Sequence, residues 1–439
     1  MSSDKSYLIA IVILVFASTI INLGFSALSP VFPYLILALK GVLSELPDLV
    51  SGVIEAHKGA MEFGALMAAF MVTRAPTAGV IGFLSDVLGK KRTILFGMGL
   101  YVIVSIGFLL SNSIILFIVF RGVQGIASAM VWPVAEAYLA DISPRWSRGK
   151  AISLYTSSML IAEILGPGIG VAIYKLYIIW FDAGDVIAAL KSPIIFLVIS
   201  SLASLVTLLF IPEYKIGRLV EAGGVVSGIR EVLSTMKEVP SYIARSLRVI
   251  YLNGLINGVA MGVTHTVVIV YIIEVIVKDP VYIGLFYTLM SIVALPASLL
   301  AGYLSDRVKK RKPFVIAGYL IGRSVLILMP FIRNLIAMLF LGSLLSLVFG
   351  LAAPIMRTLQ ADLAPEGTRG SIFGIQQFFF NGGAFLGSLL GGYLTNKYAT
   401  QTFQIFGYIL SGYIVPFWFA GLLGIITTIL FIIYVEERK

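Results

Sequence analysis

The sequence predicts an all-α membrane protein with about twelve transmembrane helices. Of its 439 residues, 59% are hydrophobic and 12% are charged, whereas a soluble domain carries about 25% charged residues. The mean hydropathy is +1.00. Apolar segments of about 20 residues, the length that crosses a bilayer, recur along the whole chain. A water-soluble fold has too little surface to bury so many of them.

The apolar segments form two groups of six. The first group lies near residues 7–39, 59–83, 93–111, 114–140, 150–176 and 192–211. The second group lies near residues 249–276, 281–304, 313–331, 335–361, 370–396 and 409–434. We therefore expect a six-helix bundle over residues 1–211, a polar linker over 212–247 and a second six-helix bundle over 248–439. The loop at residues 41–59 is predicted to form a short amphipathic helix at the membrane interface.

An internal repeat relates the two groups. Gly82, Leu84, Ser85 and Asp86 recur 220 positions later (302 − 82) as Gly302, Leu304, Ser305 and Asp306. The segment PVAEAYLADISPRWSRG, which begins at Pro133, recurs 221 positions later (354 − 133) as PIMRTLQADLAPEGTRG. Gly166 and Gly170 recur 221 positions later (387 − 166) as Gly387 and Gly391. Because six crossings return the chain to the same side, the two bundles are predicted to be parallel repeats, pseudo-symmetric about the membrane normal.

The charge pattern predicts the orientation. The net charge is +10, and the basic residues cluster in the loops on one side of the predicted helices, which places both termini in the cytoplasm. These loop cations are better explained as topology determinants and contacts for anionic lipid than as a nucleic-acid surface. The chain has no cysteine, so it forms no disulfide and has no thiol nucleophile. We expect a monomer in the plasma membrane.

Three motifs resemble a known family. GFLSDVLGKKRTIL (82–95) is similar to the signature loop between the second and third helices of the major facilitator superfamily, and GYLSDRVKKRKPF (302–314) is similar to its second copy. RGVQG, from Arg121, resembles the family's fourth-helix motif. LGPGIG, from Leu165, resembles the fifth-helix motif associated with efflux antiporters. The resemblance implies the major facilitator fold and transport by alternating access, with the signature loop locking the cytoplasmic side.

The candidate gating residues lie at the cytoplasmic helix ends. Gly82 is expected to let two helices approach closely, and Asp86 to bind a neighbouring helix N-terminus or an arginine. Glu136 and Arg357 occupy equivalent repeat positions with opposite charges, which predicts a latch between the bundles. The full predicted set is Gly82, Asp86, Arg92, Glu136, Asp141, Arg148, Asp306, Arg307, Arg357, Asp362 and Arg369.

Ionisable residues inside the membrane are costly, so they are functional candidates. Glu163 lies near mid-membrane and is the predicted proton carrier, with Arg74 or Arg121 as its partner; a purely structural role for Glu163 or Arg74 stays open. Polar side chains along predicted cavity-lining helices are candidate substrate contacts, and helix packing explains each about as well. These candidates are Asn22, Gln124, Asn257, His265, Gln377 and Asn381.

The predicted function is secondary active transport: proton-coupled efflux of small amphipathic or drug-like molecules. The alternative is a proton-coupled symporter or a uniporter of a small, possibly anionic, metabolite, because intramembrane arginines accompany a single mid-membrane acid. No HExxH, GxSxG or P-loop motif occurs, so we expect neither an enzyme nor an ATP-driven pump. No cofactor or metal is expected; the partners are the small-molecule substrate, protons and membrane lipid.

Overall fold

A computed structural model describes residues 2–144, 147–181, 184–213, 241–307, 311–363, 369–405 and 407–436. Within these ranges the chain forms twelve long helices, one short helix and a two-stranded sheet. Ten of the helices are long and apolar enough to cross a membrane. The predicted all-α membrane fold is therefore confirmed, and most of the predicted linker lies outside the described residues.

The helices follow the predicted segments closely. In the first half of the chain they are α1 (Ser2–Leu28), α2 (Phe32–Leu39), α3 (Ala60–Leu88), α4 (Lys90–Leu110), α5 (Ile114–Ile142), α6 (Arg148–Phe181) and α7 (Val186–Leu209). In the second half they are α8 (Ser241–Tyr271), α9 (Pro280–Arg307), α10 (Lys312–Leu328), α11 (Leu335–Leu363), α12 (Arg369–Tyr398) and α13 (Ile414–Tyr434). Successive long helices alternate in direction. In each half, we call the end near the chain termini the proximal end and the opposite end the distal end.

Two distal segments differ from the sequence expectation. Residues 41–59 form turns with a 3₁₀ helix at Ala56–Gly59, so the predicted amphipathic helix is wrong. Gly41 takes a left-handed φ of 75° just after α2, and Pro47 lacks the backbone donor that a helix would need. The predicted last helix also began too early, because Tyr408–Ser411 is strand β2, paired antiparallel with strand β1 (Thr402–Ile405).

The chain packs into two compact units, each assembled from several stretches. One contains residues 1–50, 72–225 and 279–288, and the other contains 51–71, 226–278 and 289–439. Each unit thus takes a distal stretch from the other half of the chain: the first includes the start of α9, and the second includes the start of α3. The division into bundles at residues 211 and 248 stays a prediction about the repeat.

Glycines set the helix spacing in both halves. In α6, a Cβ on Gly170 would lie 1.8 Å from the Ala27 carbonyl oxygen of α1. In α12, a Cβ on Gly387 would lie 2.1 Å from the Val259 carbonyl oxygen of α8. Neither position tolerates a side chain, because backbone meets backbone there. Gly383, Gly387 and Gly391 together form a stripe that packs against α8, and small residues serve this purpose widely in membrane helices.

Candidate transport site and gates

Glu163 projects from the middle of α6, one turn before Gly166 and Pro167. Its side chain is exposed, and it makes no hydrogen bond or ion pair with any residue that the structure describes. The pairing of Glu163 with Arg74 or Arg121 stays a prediction, which this conformation does not display among the described residues. Arg74 of α3 is half-buried, and Arg121 of α5 donates to the side-chain oxygen of Gln124. A carboxyl without a cationic partner at this depth is favoured in its neutral form.

A polar network surrounds Tyr101 inside the first half. The indole Nε1 of Trp132 donates to the Tyr101 hydroxyl at 3.0 Å. Arg121 donates to the side-chain oxygen of Gln124 at 2.6 Å. Gln124 is 5% exposed, so this amide braces the arginine rather than offering itself to a substrate. Sequence reasoning missed Tyr101, since a single tyrosine in an apolar helix carries no distinguishing signal.

A matching network lies in the second half. Arg323 of α10 is 2% exposed and donates to the side-chain oxygen of Asn257 in α8. Asn257 in turn donates to the Asn253 oxygen at 2.8 Å. The guanidinium also lies 5.5 Å from the ring centre of Phe349. Asn257 is therefore engaged in helix packing, and this contact favours that interpretation over its predicted role as a substrate ligand.

The other predicted substrate contacts differ in whether the side chain is bonded within the protein or exposed. Asn22 donates to the Ser18 carbonyl of its own helix at 2.8 Å. Gln377 donates to the buried Asn381 at 3.1 Å. His265, in the middle of α8, is exposed, and so is Gln377. Of this set, His265 and Gln377 remain the side chains best placed to meet a ligand.

Two of the predicted gating carboxylates pair within their own half. Asp141 of α5 forms an ion pair with Lys90 of α4 at 2.8 Å. Asp362 of α11 forms an ion pair with Arg311, at the start of α10. Both partners are related by the same repeat spacing of 221 (362 − 141 and 311 − 90). The repeat thus conserves a proximal ion pair that ties neighbouring helices, an arrangement that the acids alone did not reveal.

The remaining gating candidates are mostly exposed at the proximal end. A Cβ on Gly82 would meet no described atom within 4 Å, so the close helix approach at Gly82 stays a prediction. The guanidinium carbon of Arg307 lies 4.4 Å from the centre of the Tyr303 ring. Exposed side chains include Arg92, Glu136, Arg148 and Arg357. The side chains of Asp86, Asp306 and Arg369 lie outside the described part of the structure. The latch between Glu136 and Arg357 stays a prediction.

A cluster of opposite charges lies at the distal end of α6, within the first unit. Lys175 bridges two carboxylates, Asp48 at 2.9 Å and Asp279 at 3.3 Å. The Tyr174 hydroxyl also donates to Asp48, at 3.3 Å. Partial burial raises the pKa of the Asp48 carboxyl, but the hydrogen bond and charge of Lys175 outweigh burial and hold that pKa below its usual value.

A second distal contact lies within the other unit. The Nδ1 atom of His57 is 2.9 Å from one carboxylate oxygen of Glu274 and 3.1 Å from the other. The backbone N–H of His57 donates to the same carboxylate at 2.9 Å. Sequence reasoning singled out neither distal cluster, because residues 217 positions apart share no local pattern.

The fold and these polar networks define a polytopic helical membrane protein with paired halves. The family sequence model of the Major Facilitator Superfamily matches residues 14–276 and 250–439. The chain belongs to the Major Facilitator Superfamily. Its members are transporters and not enzymes, and this chain is accordingly an integral membrane transporter.

Transporters and resistance proteins from several organisms resemble the chain. Multidrug resistance protein 2 of Bacillus subtilis is 22% identical over 85% of this chain and 90% of that protein. Quinolone resistance protein NorA of Staphylococcus aureus is 31% identical, but the match covers 25% of this chain and 28% of NorA. An uncharacterized MFS-type transporter of Methanocaldococcus jannaschii is 30% identical over 27% of this chain and 30% of its own length. The chain thus matches less than a third of the last two proteins.

Solved structures share the fold. A D-xylose-proton symporter superposes with a TM-score of 0.71 at 16% identity, covering 98% of both chains. The human organic anion transporter MFSD10 superposes with a TM-score of 0.64 at 15% identity, covering 97% of this chain and 99% of that one. At this identity the likeness establishes the architecture alone.

Proposed function

We propose that the protein is a proton-coupled efflux transporter of small amphipathic or drug-like molecules that works by alternating access. One observation carries the proposal: Glu163 is an exposed carboxyl in the middle of α6, with no ion-pair partner among the described residues. An ion at this depth is expensive unless it is paired or neutralised. Glu163 therefore has reason to bind a proton on one side of the membrane and release it on the other.

Coupling follows if the two protonation states favour different conformations. A proton on Glu163 removes the cost of enclosing a charge, and so favours a conformation in which the site is shut from water. An amphipathic substrate that binds near Glu163 competes by favouring the ionised and open form. The proton and the substrate then exchange across the membrane in opposite directions.

The substrate class rests on the relatives. The protein from B. subtilis that matches 85% of the chain is named for multidrug resistance, and NorA is named for quinolone resistance. The LGPGIG motif lies on the same helix as Glu163. These similarities support drug-like molecules as the first ligands to test.

The second candidate is a proton-coupled symporter or a uniporter of a small anionic metabolite. Arg121 favours it, because this cation is braced by the neutral Gln124 on a helix whose middle lacks acidic residues. A guanidinium held in this way is suited to a carboxylate or phosphate ligand. The two candidates differ in substrate class, and a symporter would move its substrate in the same direction as the proton, whereas an efflux antiporter would move it in the opposite direction.

Transport by purified protein in liposomes tests the proposal. A pH gradient in either direction is imposed, and the flux of lipophilic cations and of small carboxylates is measured. Efflux coupling predicts that Glu163→Gln abolishes gradient-driven flux of the cations while downhill exchange persists. Glu45→Gln serves as the matched control, because Glu45 is an exposed acid in a distal loop. Unchanged pH dependence in Glu163→Gln would contradict proton coupling at this residue, and flux of carboxylates alone would support the second candidate.

The proposed location is the plasma membrane, with a monomeric protein and both termini in the cytoplasm. The positive charge of the proximal loops supports this orientation. Because the chain has no native cysteine, a single cysteine at Arg92 or at Gly52 reports the side of the membrane directly. An impermeant maleimide added to intact cells should label Gly52→Cys and spare Arg92→Cys. The reverse pattern would invert the proposed orientation.

A further inference from the structure

Arg323 is a buried cation in the second half of the protein that the proposed function does not use. The residue is 2% exposed. It lies eleven positions after Lys312 in α10 (323 − 312), a rise of roughly 16 Å from the proximal end of that helix. Among the described residues Arg323 forms no ion pair. A charge at this depth is costly unless something neutralises it.

The fold that the two repeats share does not require this cation. The equivalent residue of the first repeat, 221 positions earlier (323 − 221), is Val102 of α4. In the second half, Gly424 of α13 gives space to the guanidinium, because a Cβ on Gly424 would lie 2.0 Å from the Nε atom of Arg323. The neighbouring helix therefore accommodates an arginine that the first repeat lacks, which indicates a role specific to this half.

The hydrogen bonds around Arg323 run in one direction. A guanidinium can only donate, so Asn257 of α8 presents its side-chain oxygen to Arg323, and its amide nitrogen is left to donate. That nitrogen donates to the side-chain oxygen of Asn253 at 2.8 Å. The Nδ2 atom of Asn253, at the end of the chain of hydrogen bonds, is consequently also a donor. We call Arg323, Asn257 and Asn253 the Arg323 network.

The Arg323 network has donors left over at both ends. The Nε atom of Arg323 and the Nδ2 atom of Asn253 are buried, and neither has a hydrogen-bond partner among the described residues. Asn253 is 1% exposed, so bulk water does not compensate its donor. Buried donors without an acceptor are costly. The network thus lacks both an acceptor and a negative charge, and a bound anion supplies the two together.

Aromatic rings beside the guanidinium restrict the size of such a ligand. The guanidinium carbon lies 5.5 Å from the ring centre of Phe349 and 5.9 Å from that of Tyr319. The faces of these rings attract the cation, but they carry no net charge. Packing of this kind favours a halide or a carboxylate of one or two carbons over a phosphate ester or a long-chain acid.

We propose that the Arg323 network is a binding site for one small monovalent anion, a halide or a short carboxylate, which neutralises the guanidinium inside the second half of the protein. All three residues belong to the same compact unit. The site uses neither Glu163 nor a transported substrate, so its failure would leave the proposed function unaffected.

Thermal unfolding of the full chain in detergent tests the site. The melting temperature is measured in sodium gluconate, whose anion is too large for the site. Gluconate is then replaced stepwise by chloride or, in a second series, by formate, at constant ionic strength. We expect a saturable rise of roughly 2–5 °C, because a ligand that binds the native state alone stabilises it.

The two series distinguish the sources of the anion. A rise with both anions supports a site for any small monovalent anion, and a rise with one of them supports the proposal and identifies the halide or the carboxylate as the ligand. A melting temperature that shows no saturable rise in either series would overturn the proposal.

Two variants locate the effect at the Arg323 network. Arg323→Gln should remove the rise, because the amide carries no positive charge. Asn253→Asp should also remove it, because the network then contains its own carboxylate. Arg248→Gln is the matched control: it removes an exposed arginine at the start of α8 and should respond as the wild type does.

Monodisperse elution from size-exclusion chromatography identifies the variants that are folded. A rise of wild-type size in folded Arg323→Gln would show that the anion binds elsewhere and would overturn the proposal. Should Arg323→Gln not fold, Asn253→Asp decides the question alone, since it keeps the arginine, and a rise of wild-type size in that variant would have the same consequence.

Discussion

Helices α6 and α12 occupy equivalent places in the two repeats. They share several residue types at equivalent positions, but they differ at the position in the middle of the helix. Both begin with an arginine, Arg148 or Arg369, and both press glycines against the first long helix of their half. In α6 the position at mid-membrane is the exposed Glu163. The position 221 residues later (384 − 163) is Ala384, which is 2% exposed.

The surroundings of Ala384 explain why it is not an acid. A Cβ on Gly262 would lie 2.4 Å from the Ala384 carbonyl oxygen, and a Cβ on Gly258 would lie 2.8 Å from its nitrogen. The α8–α12 contact has glycines on both faces, so it leaves no room for a charged side chain. At equivalent positions, the first half thus has an exposed acid, Glu163, and the second half has a buried alanine, Ala384, in a tight helix contact. A fold that is common to both copies thus carries its specific chemistry in one of them.

Introducing an acid at Ala384 of α12 should have the largest effect on the stability of the protein. Ala384→Glu would force a carboxyl into a backbone-on-backbone contact, with a cost of about 3 kcal/mol or more for a buried and unpaired polar group. We expect loss of the monodisperse peak in size-exclusion chromatography of the detergent-solubilised protein. Ala384→Ser is the matched small control and should elute normally. A stable Ala384→Glu protein would show that α12 can accept the chemistry of α6.

The glycine contacts allow a sharper version of the same comparison. In each helix one glycine touches the neighbouring backbone and a nearby one faces open space: Gly170 and Gly168 in α6, and Gly383 and Gly382 in α12. Substitution of a touching glycine by alanine must push two helices apart, which costs about 1–3 kcal/mol. Alanine at an open glycine should be neutral or stabilise the helix by up to about 1 kcal/mol.

Thermal unfolding of the four alanine variants measures this difference. Gly170→Ala and Gly383→Ala should melt earlier than the wild type, while Gly168→Ala and Gly382→Ala should not. The open glycines control for the change in helix propensity, because they share the helix and the substitution. Equal melting temperatures within each pair would mean that the close contacts do not determine stability.

The sequence was sufficient for the parts of the fold that follow from hydropathy and repetition. Each long apolar segment became a helix, because a backbone in lipid must satisfy its own hydrogen bonds. The spacing of 221 also linked Gly166 to Gly387, and the structure shows both in the same kind of contact. Motif resemblance then identified the family, which the match across the chain confirms.

Contacts between residues on different helices could not be predicted from the sequence, for a physical reason. The partner of a carboxylate depends on which helix faces it, and hydropathy has no information about helix rotation. Sequence reasoning therefore gave Glu163 an arginine partner, whereas Glu163 forms no ion pair with any residue that the structure describes. The repeat did hold an unused signal, since Lys90 and Asp141 recur together as Arg311 and Asp362. Residues that recur as a pair of opposite charges were candidates for an ion pair.

Those recurrent ion pairs should contribute alike in both halves. The side chains of Lys90 and Asp141 are 14% and 31% exposed, and those of Arg311 and Asp362 are 23% and 40% exposed. Pairs that remain in contact with water contribute less than about 1 kcal/mol. Double-mutant cycles of Lys90→Gln with Asp141→Asn, and of Arg311→Gln with Asp362→Asn, measure the two coupling energies through thermal unfolding. Coupling that is much larger in one half would extend the asymmetry of α6 and α12 to the proximal end.

The distal ends of α6 and α12 provide the smallest and most specific contrast. Lys175 of α6 meets the carboxylates of Asp48 and Asp279, whereas Lys397 of α12 lies against aromatic rings, 3.3 Å from the Tyr393 hydroxyl. Acid should therefore weaken the end of α6 and leave the end of α12 unchanged. The relevant group is Asp48: partial burial raises the pKa of its carboxyl, but its hydrogen bonds and the charge of Lys175 together lower that pKa below its usual value.

The sign of this pH dependence follows from linkage. A carboxyl whose pKa is lower in the folded protein contributes stability above the ordinary aspartate pKa of about 3.9, and that contribution is lost as pH falls through the lowered value. Asp48→Asn should therefore reduce the melting temperature near neutral pH, by an amount equivalent to less than about 1 kcal/mol because the pair is partly exposed. The difference from the wild type should shrink as pH falls below about 3.9 and vanish once pH is below the lowered pKa. Lys397→Gln should show no such convergence, and a constant Asp48→Asn deficit at every pH would mean that the carboxyl acts through shape rather than charge.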